Sequence, residues 1–324
     1  MFRKLVLIML GMAIALSACG SSKSTNEALT KIRLPLGYIP NIQFASLYVA
    51  VEKGFFREAG FDVEFDYKFE TDGVALVGAG EIPFTVASGE QVLLARAQGL
   101  SVTYVAAWYQ QYPVSVVAKS EAGVLVPQDL KGQKIGLPGL YGANYIGLRA
   151  LLNAGRLTEA DVTLDAIGFN QVETMATGAQ DVVVGYTANE PIQLRARGIA
   201  VTEIRVADYA QLAANGLLAS EKVIAEEPDM VRAFVGAFIK GMEYALANPD
   251  EAFALSAAHI PNFADLDVDI QKQVLAASME LWKAERLGYS DPQAWENMQD
   301  VLLDMGLLTE KLDLSKAFTN EFIP

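Results

Sequence analysis

From Lys31 onward the chain alternates between short extended runs and amphipathic helical stretches, and this alternation admits few architectures. Residues 32–36 read as a strand running into the turn-rich Gly37-Tyr38-Ile39-Pro40-Asn41. Residues 43–56 then read as a helix, with Phe44, Leu47, Tyr48, Val51 and Phe55 recurring at three- and four-residue spacing. A strand is predicted at 62–67, a helix around 73–80 and a strand at 84–87. Ser88 and Gln91 fit a capping box for a helix running to Ala97, and strands follow at 102–108 and 114–118. A second α/β unit spans about 120–220, with strands at 133–137, 162–167 and 182–185 and a helix at 145–154. Past Ser220 the pattern is helical, and Asn248-Pro249-Asp250-Glu251 is a helix start. The expected fold class is α/β: two lobes of mostly parallel sheet covered by helices, a cleft between them, and a helical C-terminal region. A length of 324 residues is enough for two such units.

The N-terminus reads differently. Arg3 and Lys4 precede an apolar run over 5–16, which is shorter than the roughly 20 residues a membrane-spanning helix needs. It reads as a signal h-region, and Leu16-Ser17-Ala18-Cys19 resembles a bacterial lipobox. That resemblance implies cleavage before Cys19 and lipidation of its thiol; the plainer alternative is a secretory signal with an incidental Cys. The small, polar segment 20–30 reads as a tether. The expected division is signal peptide 1–18, lipidated Cys19 and tether 19–30, the first part of lobe 1 at 31–112, lobe 2 at 113–222, and a helical part at 223–324 returning mainly to lobe 1. Loss of Arg3 and Lys4 with the signal would move the net charge from −14 to −16.

Charge and composition exclude several kinds of chemistry. An acidic chain with 25 Lys+Arg against 39 Asp+Glu is a poor partner for nucleic acid. One Cys and one His rule out an internal disulfide, a thiolate metal cluster and any site needing two imidazoles. No metal site and no resident cofactor are expected. There is no Walker A sequence and no G-x-S-x-G elbow, and Gly78-Ala79-Gly80 lacks the context of a dinucleotide fingerprint.

In open α/β sheets ligands sit beyond the carboxyl ends of the strands, so the post-strand loops are the places to look. They carry Tyr38, Asn41 and Phe44; Ser88 and Glu90; Trp108 and Tyr109; Tyr141, Asn144 and Tyr145; and Tyr186, Asn189 and Glu190. Each has a structural alternative. Ser88 could only cap a helix, Tyr38 and Trp108 could be strand-end core, Gly139 and Gly142 could only permit a turn, and Glu190 could be a solvated helix-start acid. Together they put flat rings and amides on the ligand-facing ends of both lobes. No Lys or Arg lies in 38–44, 88–91, 108–112 or 185–191. A sulfonate, phosphate or nitrate would favour such a clamp, so a neutral or partly cationic planar heterocycle fits better.

Gly37-Tyr38-Ile39-Pro40-Asn41 and the run 50–63 (AVEKGFFREAGFDV) resemble the solute-binding proteins of ABC importers that carry the pyrimidine-precursor-synthase-like fold. Residues 80–84 and 130–136, Asn189-Glu190-Pro191 and the stretch from Glu227-Pro228 to Asn248-Pro249 continue the match, which covers nearly all of 31–305. The resemblance implies a type II periplasmic-binding-protein fold, two lobes joined by two crossings and closing on one small ligand. Within the family the chain is similar to the vitamin-precursor branch, which binds formylaminopyrimidine, hydroxymethylpyrimidine or riboflavin, and especially to its riboflavin-binding lipoproteins. Permease and ATPase subunits are the implied partners, and a monomer held at the membrane by its lipid alone is the implied form. Tyr38, Asn41 and Phe44 match the first-lobe loop, and Asn189 and Glu190 the second-lobe one. The same superfamily contains the thiamine-pyrimidine synthase, which relies on a Cys cluster and an active-site His. Here Cys19 falls in the lipobox and His259 in the helical tail, so a binding protein is expected, not an enzyme.

Overall fold

A computed structural model describes residues 28–324; the signal segment, Cys19 and most of the tether lie outside the described residues. Strands β1 (Thr30–Leu36), β2 (Phe61–Tyr67), β3 (Phe84–Ala87) and β4 (Val102–Ala107) belong to a first sheet. Strands β5 (Val114–Lys119), β6 (Lys134–Leu137), β7 (Thr163–Ala166), β8 (Val182–Tyr186) and β9 (Val201–Arg205) form a second, and β10 (Gly216–Ser220) returns to the first. The orders are β2-β1-β3-β10-β4 and β7-β6-β8-β5-β9, the same pattern in each lobe.

Four of the five strands in each sheet run the same way, as expected, with one exception in each, and one lobe boundary needs correction. The sheets are mixed: β10 runs antiparallel to β3 and β4, and β5 antiparallel to β8 and β9. These are the strands that enter each sheet from the other lobe, so they arrive from the opposite direction. The second lobe also does not extend to 222, because β10 pairs with Phe84–Ala87 and with β4 of the first sheet. The two crossings, 108–113 and 206–215, are joined where the Trp108 and Tyr109 N–H groups both donate to the Asn215 carbonyl at 3.0 Å.

Packing sets the position of the loops. The helix read around 73–80 runs over Glu70–Gly78 and lies so close to the sheet that a Cβ at Gly73 would stand 2.2 Å from Thr85 Oγ1 and 2.9 Å from Pro35 Cβ. Pro35 sits in a central strand, where its missing N–H is usually costly. Here β1 meets β3 through a single pair, Leu36 with Val86, and the Thr85 hydroxyl donates to the Pro35 carbonyl at 3.2 Å. The helical C-terminal part closes the first lobe. Phe234 of the helix Pro228–Ala247 stacks on Phe84 with ring centres 4.2 Å apart, and Gly241 lets that helix press on Ser46 and Ala50. Trp295 packs edge-on against Tyr104.

The capping box predicted at Ser88 does not form. Ser88 is the residue before the helix Gly89–Ala97, but its hydroxyl makes no cap bond. It is taken instead by two carboxylates, those of Glu70 and Glu90.

Candidate functional site

The carboxyl ends of both sheets face one cavity between the lobes, with about 730 Å³ of empty space including its open mouth. The loop after β1 supplies Tyr38, Gln43 and Phe44, the loop after β2 supplies Phe69 and Glu70, and the end of β4 leads into Trp108. From the second lobe come Tyr141 and Asn144 after β6, Phe169 and Gln171 after β7, and Tyr186 and Glu190 after β8; Asn215 reaches in from the return crossing.

One wall is a set of stacked rings. Phe44 lies parallel to Trp108 at 5.4 Å, and Trp108 to Tyr109 at 4.4 Å, while the Trp108 indole N–H donates to Ser46 Oγ at 3.0 Å. The rings are therefore held in place before any ligand arrives. Rings from the two lobes also interleave: Tyr38 meets Phe169 edge-on at 4.8 Å, and Phe69 meets both Phe169 at 5.1 Å and Tyr141 at 5.2 Å.

The polar groups divide into those already satisfied and those left free. Glu190 is buried, which raises its carboxyl above the usual range, although hydrogen bonds from Tyr186, Asn189 and Tyr38 oppose that shift. Its Oε2 accepts the Tyr186 N–H at 2.7 Å, and its Oε1 accepts from Asn189 Nδ2 at 2.9 Å and from the Tyr38 hydroxyl at 3.5 Å. Tyr38 is pushed well above its ordinary value by burial and then by the charge of Glu190. Gln43 Nε2 and Asn144 Oδ1, by contrast, are buried at the cavity without a well-formed hydrogen bond, although the Gln43 side chain lies close enough to Tyr109 to favour its ionised form. Such groups are costly unless something satisfies them, which makes them candidate partners for a ligand's carbonyl or N–H.

Tyr38, Phe44, Trp108, Tyr141, Asn144, Tyr186 and Glu190 are thus brought together around the cavity. Six other expected residues are not part of its lining. Asn41 caps the turn Ile42–Phe44 by accepting from the Gln43 N–H at 3.0 Å. Ser88 and Glu90 are buried behind Glu70. Tyr109 lies beneath Trp108, and Asn189 stands behind Glu190. Tyr145 turns away to Arg149 and Glu159, because the helix Gly142–Ala154 starts three residues earlier than its periodicity suggests. Phe69, Glu70, Phe169, Gln171 and Asn215 line the cavity without a signal read in the sequence, and Gln43, from the same candidate loop as Tyr38 and Phe44, lines it as well. Phe69 and Glu70 lie just past the predicted strand 62–67, separated from its end by one residue, and belong to a loop of the same kind as the others. Asn215 carries no local signal.

Among the residues lining the cavity there is no Lys or Arg. Among the described residues no group of three or more His, Cys, Asp and Glu could hold a metal, and no helix is long and apolar enough to cross a membrane.

Comparison with known proteins agrees with this geometry. A riboflavin-binding protein, RibY, of Chloroflexus aurantiacus is 41% identical, with 99% of this chain and 98% of that protein aligned. A formylaminopyrimidine-binding protein of Halalkalibacterium halodurans is 28% identical over 91% of each chain. More distant relatives are named 4-amino-5-hydroxymethyl-2-methylpyrimidine phosphate synthases. The solved alkanesulfonate-binding protein SsuA of Xanthomonas axonopodis superposes with a TM-score of 0.71 at 16% identity, covering 90% of this chain and 98% of that one, which shows a shared periplasmic-binding-protein fold. The family model described as "NMT1/THI5 like" matches residues 41–252. With two lobes, two crossings and an interlobe cavity of this construction, the chain belongs to the NMT1/THI5-like family.

Proposed function

We propose that this chain is the extracytoplasmic solute-binding component of an ABC-type importer, that its ligand is riboflavin, and that it is anchored through a lipid on Cys19 and delivers that ligand as a monomer to a permease driven by an ATPase. The observation that carries the ligand reading is the cavity's lining: stacked and interleaved rings from both lobes, free amide groups at Gln43 and Asn144, and no cation. A flat three-ring isoalloxazine offers large faces to rings and a uracil-like edge to amides. Each aromatic pair contributes roughly 0.5–1.5 kcal/mol beyond area burial, and a micromolar complex needs about −8.2 kcal/mol, so a many-ringed wall is what such a ligand requires. The full-length relation to a protein named for riboflavin binding points the same way.

In this reading the ring first lies on the Phe44–Trp108 wall. The second lobe then brings Tyr141, Asn144, Tyr186 and Glu190 onto it, and affinity for the closed form shifts the population toward closure. Glu190 serves chiefly to orient Tyr38 and the loop after β8, since its oxygens are already engaged. A thiamine pyrimidine precursor is the second reading, favoured by the relation to the formylaminopyrimidine-binding protein. The synthase of this superfamily relies on a Cys cluster and an active-site His, and the residues lining the cavity include neither type.

A fluorescence titration of the chain from Gly20 onward with riboflavin, with formylaminopyrimidine and hydroxymethylpyrimidine run alongside, separates the two ligands. Saturable quenching of flavin emission at micromolar concentration or below is the expected result. Stabilisation by a pyrimidine with no flavin quenching would move the ligand to the thiamine branch.

A further inference from the structure

One buried cluster links the cavity to the first crossing, and it contains two carboxyl groups with no basic partner. Glu70, the first residue of the helix Glu70–Gly78, lines the cavity, and Glu90 lies behind it on the helix Gly89–Ala97. They are 8% and 0% exposed, and no ion pair among the described residues reaches either one. Glu70 presents each of its oxygens to a backbone N–H: Oε1 accepts from Ala143 at 2.7 Å, and Oε2 from Ser88 at 2.9 Å. Ala143 belongs to the second lobe, so the first of these bonds spans the cleft. The approach is close. Gly142 is held at φ +73°, and a Cβ there would stand 2.9 Å from Glu70 Oε1.

The protons of the cluster can be counted. Ser88 Oγ contacts Glu70 Oε2 at 2.9 Å and also Glu90 Oε1. The Tyr112 hydroxyl lies 3.1 Å from Glu90 Oε2 and 3.1 Å from the Ala143 carbonyl oxygen. Two hydroxyl hydrogens thus serve four oxygen–oxygen contacts, with Gln91 Nε2 adding a donor to Glu90 Oε1 at 3.3 Å, and one proton held by the pair serves a third of the four. Glu70, with a backbone N–H on each oxygen, is best satisfied ionised. On Glu90 the proton can be donated to Ser88 Oγ, which passes its own hydrogen to Glu70.

We propose that Glu70 is the positioning residue that latches the two lobes closed over the ligand, and that it does so as the ionised half of a pair whose other half, Glu90, holds a single proton relayed through Ser88. The proposal rests on the reading of the cavity as a site that closes on its ligand. The surroundings agree with the proton count. Burial raises both carboxyls, and with Glu70 beside it Glu90 is pushed up to about 8. The other titratable groups facing the pair are Tyr104, Tyr112 and Tyr186, none of which supplies positive charge. The sign follows. Below about 8 Glu90 keeps its proton in the closed form; as pH rises through that value, a second negative charge appears beside Glu70 and closure weakens.

The test compares Glu70→Gln with Glu90→Gln in the chain from Gly20 onward, by hydrogen exchange in peptides covering Ala143 between pH 6 and 9.5, with and without riboflavin. Glutamine can stand in for a neutral Glu90, but at position 70 it offers one oxygen to two N–H groups. Glu90→Gln should keep the wild-type protection of Ala143 and extend it to high pH. Glu70→Gln should lose about tenfold at every pH, the equivalent of one broken hydrogen bond. Should Glu70→Gln prove poorly folded by its melting curve, Gly142→Ala removes the same contact from the other lobe and should give the same loss. Wild-type protection in both Glu70→Gln and Gly142→Ala would overturn the latch. A wild-type profile flat across pH 8, or a slope that survives in Glu90→Gln, would overturn the shared proton. If riboflavin fails to bind while the exchange pattern holds, the ligand assignment falls and the latch stands.

Discussion

Glu190 and Tyr38 illustrate how a residue's role depends on which of its atoms are already bonded. Glu190 receives the Tyr186 N–H, Asn189 and Tyr38, so removing its carboxylate leaves three buried donors to be rehoused. Glu190→Ala should therefore weaken riboflavin binding by more than about tenfold and also lower unfolding stability by about 1–3 kcal/mol. Paired binding titrations and urea melts check this, and a loss of binding with unchanged stability would mean that Glu190 acts on the ligand directly. At Tyr38 the ring and the hydroxyl can be separated. Tyr38→Phe keeps the edge-on contact with Phe169 and should cost less than about threefold in dissociation constant, since only two long hydrogen bonds are lost, one to Glu190 at 3.5 Å and one from Asn189 at 3.4 Å. Tyr38→Leu removes the ring and should cost roughly 0.5–1.5 kcal/mol, about two- to tenfold. Equal losses in the two variants would argue against a stacking role.

Between elements, the site depends on a few close approaches that decide where a loop ends. The helix Glu70–Gly78 can bring Glu70 to the cavity because Gly73 lets it lie against Thr85 and Pro35. Gly73→Ala puts a methyl group 2.2 Å from the Thr85 hydroxyl oxygen and should destabilise the protein by about 1–3 kcal/mol through overpacking. The denaturant midpoint should fall with the m-value unchanged, and an unchanged midpoint would contradict the contact. Gly73 is also why the sequence pattern places the helix start later than Glu70. Glycine is a poor helix former and looks like a boundary, yet here it is interior because nothing larger fits. Strand β10 escaped the sequence reading for a related reason. Its run Gly216-Leu217-Leu218-Ala219-Ser220 has no β-branched residue, and only pairing on both sides, with β3 and β4, makes it a strand.

For the whole molecule, the balance of buried carboxyls sets the response to pH. Glu70, Glu90 and Glu190 are all raised by burial, and Glu90, pushed up to about 8, keeps in the folded state a proton that the unfolded chain has released above the ordinary carboxylate range. Stability should therefore decline as pH rises through that window. The carboxylates that are lowered, Asp161, Glu173, Glu251 and Asp313, are exposed or half-buried and act only at more acid pH. Calorimetric melting temperatures should be highest near pH 5 and fall toward pH 8, with the slope reduced in Glu90→Gln; a temperature rising across that range would reverse the assignment. The same absence of cations governs specificity. Flavin mononucleotide, whose phosphate finds no Lys or Arg in the cavity, should bind at least about tenfold more weakly than riboflavin in the same titration. What the sequence determined by itself was whatever contiguous residues encode: the alternation that makes two α/β lobes, most of the strand positions, and the aromatic, cation-free character of the loops. Only the tertiary structure decided the antiparallel entry of β5 and β10, the return of β10 to the first lobe, and which loop side chains face the cavity. Glu70 joined the cavity while Glu90 lay buried behind it, and Asn215 arrived from a crossing more than a hundred residues downstream of Trp108. Periodicity reports which face of an element is apolar. Where that face points, and which distant carboxylate or N–H it meets, depends on long-range pairing that no local window contains.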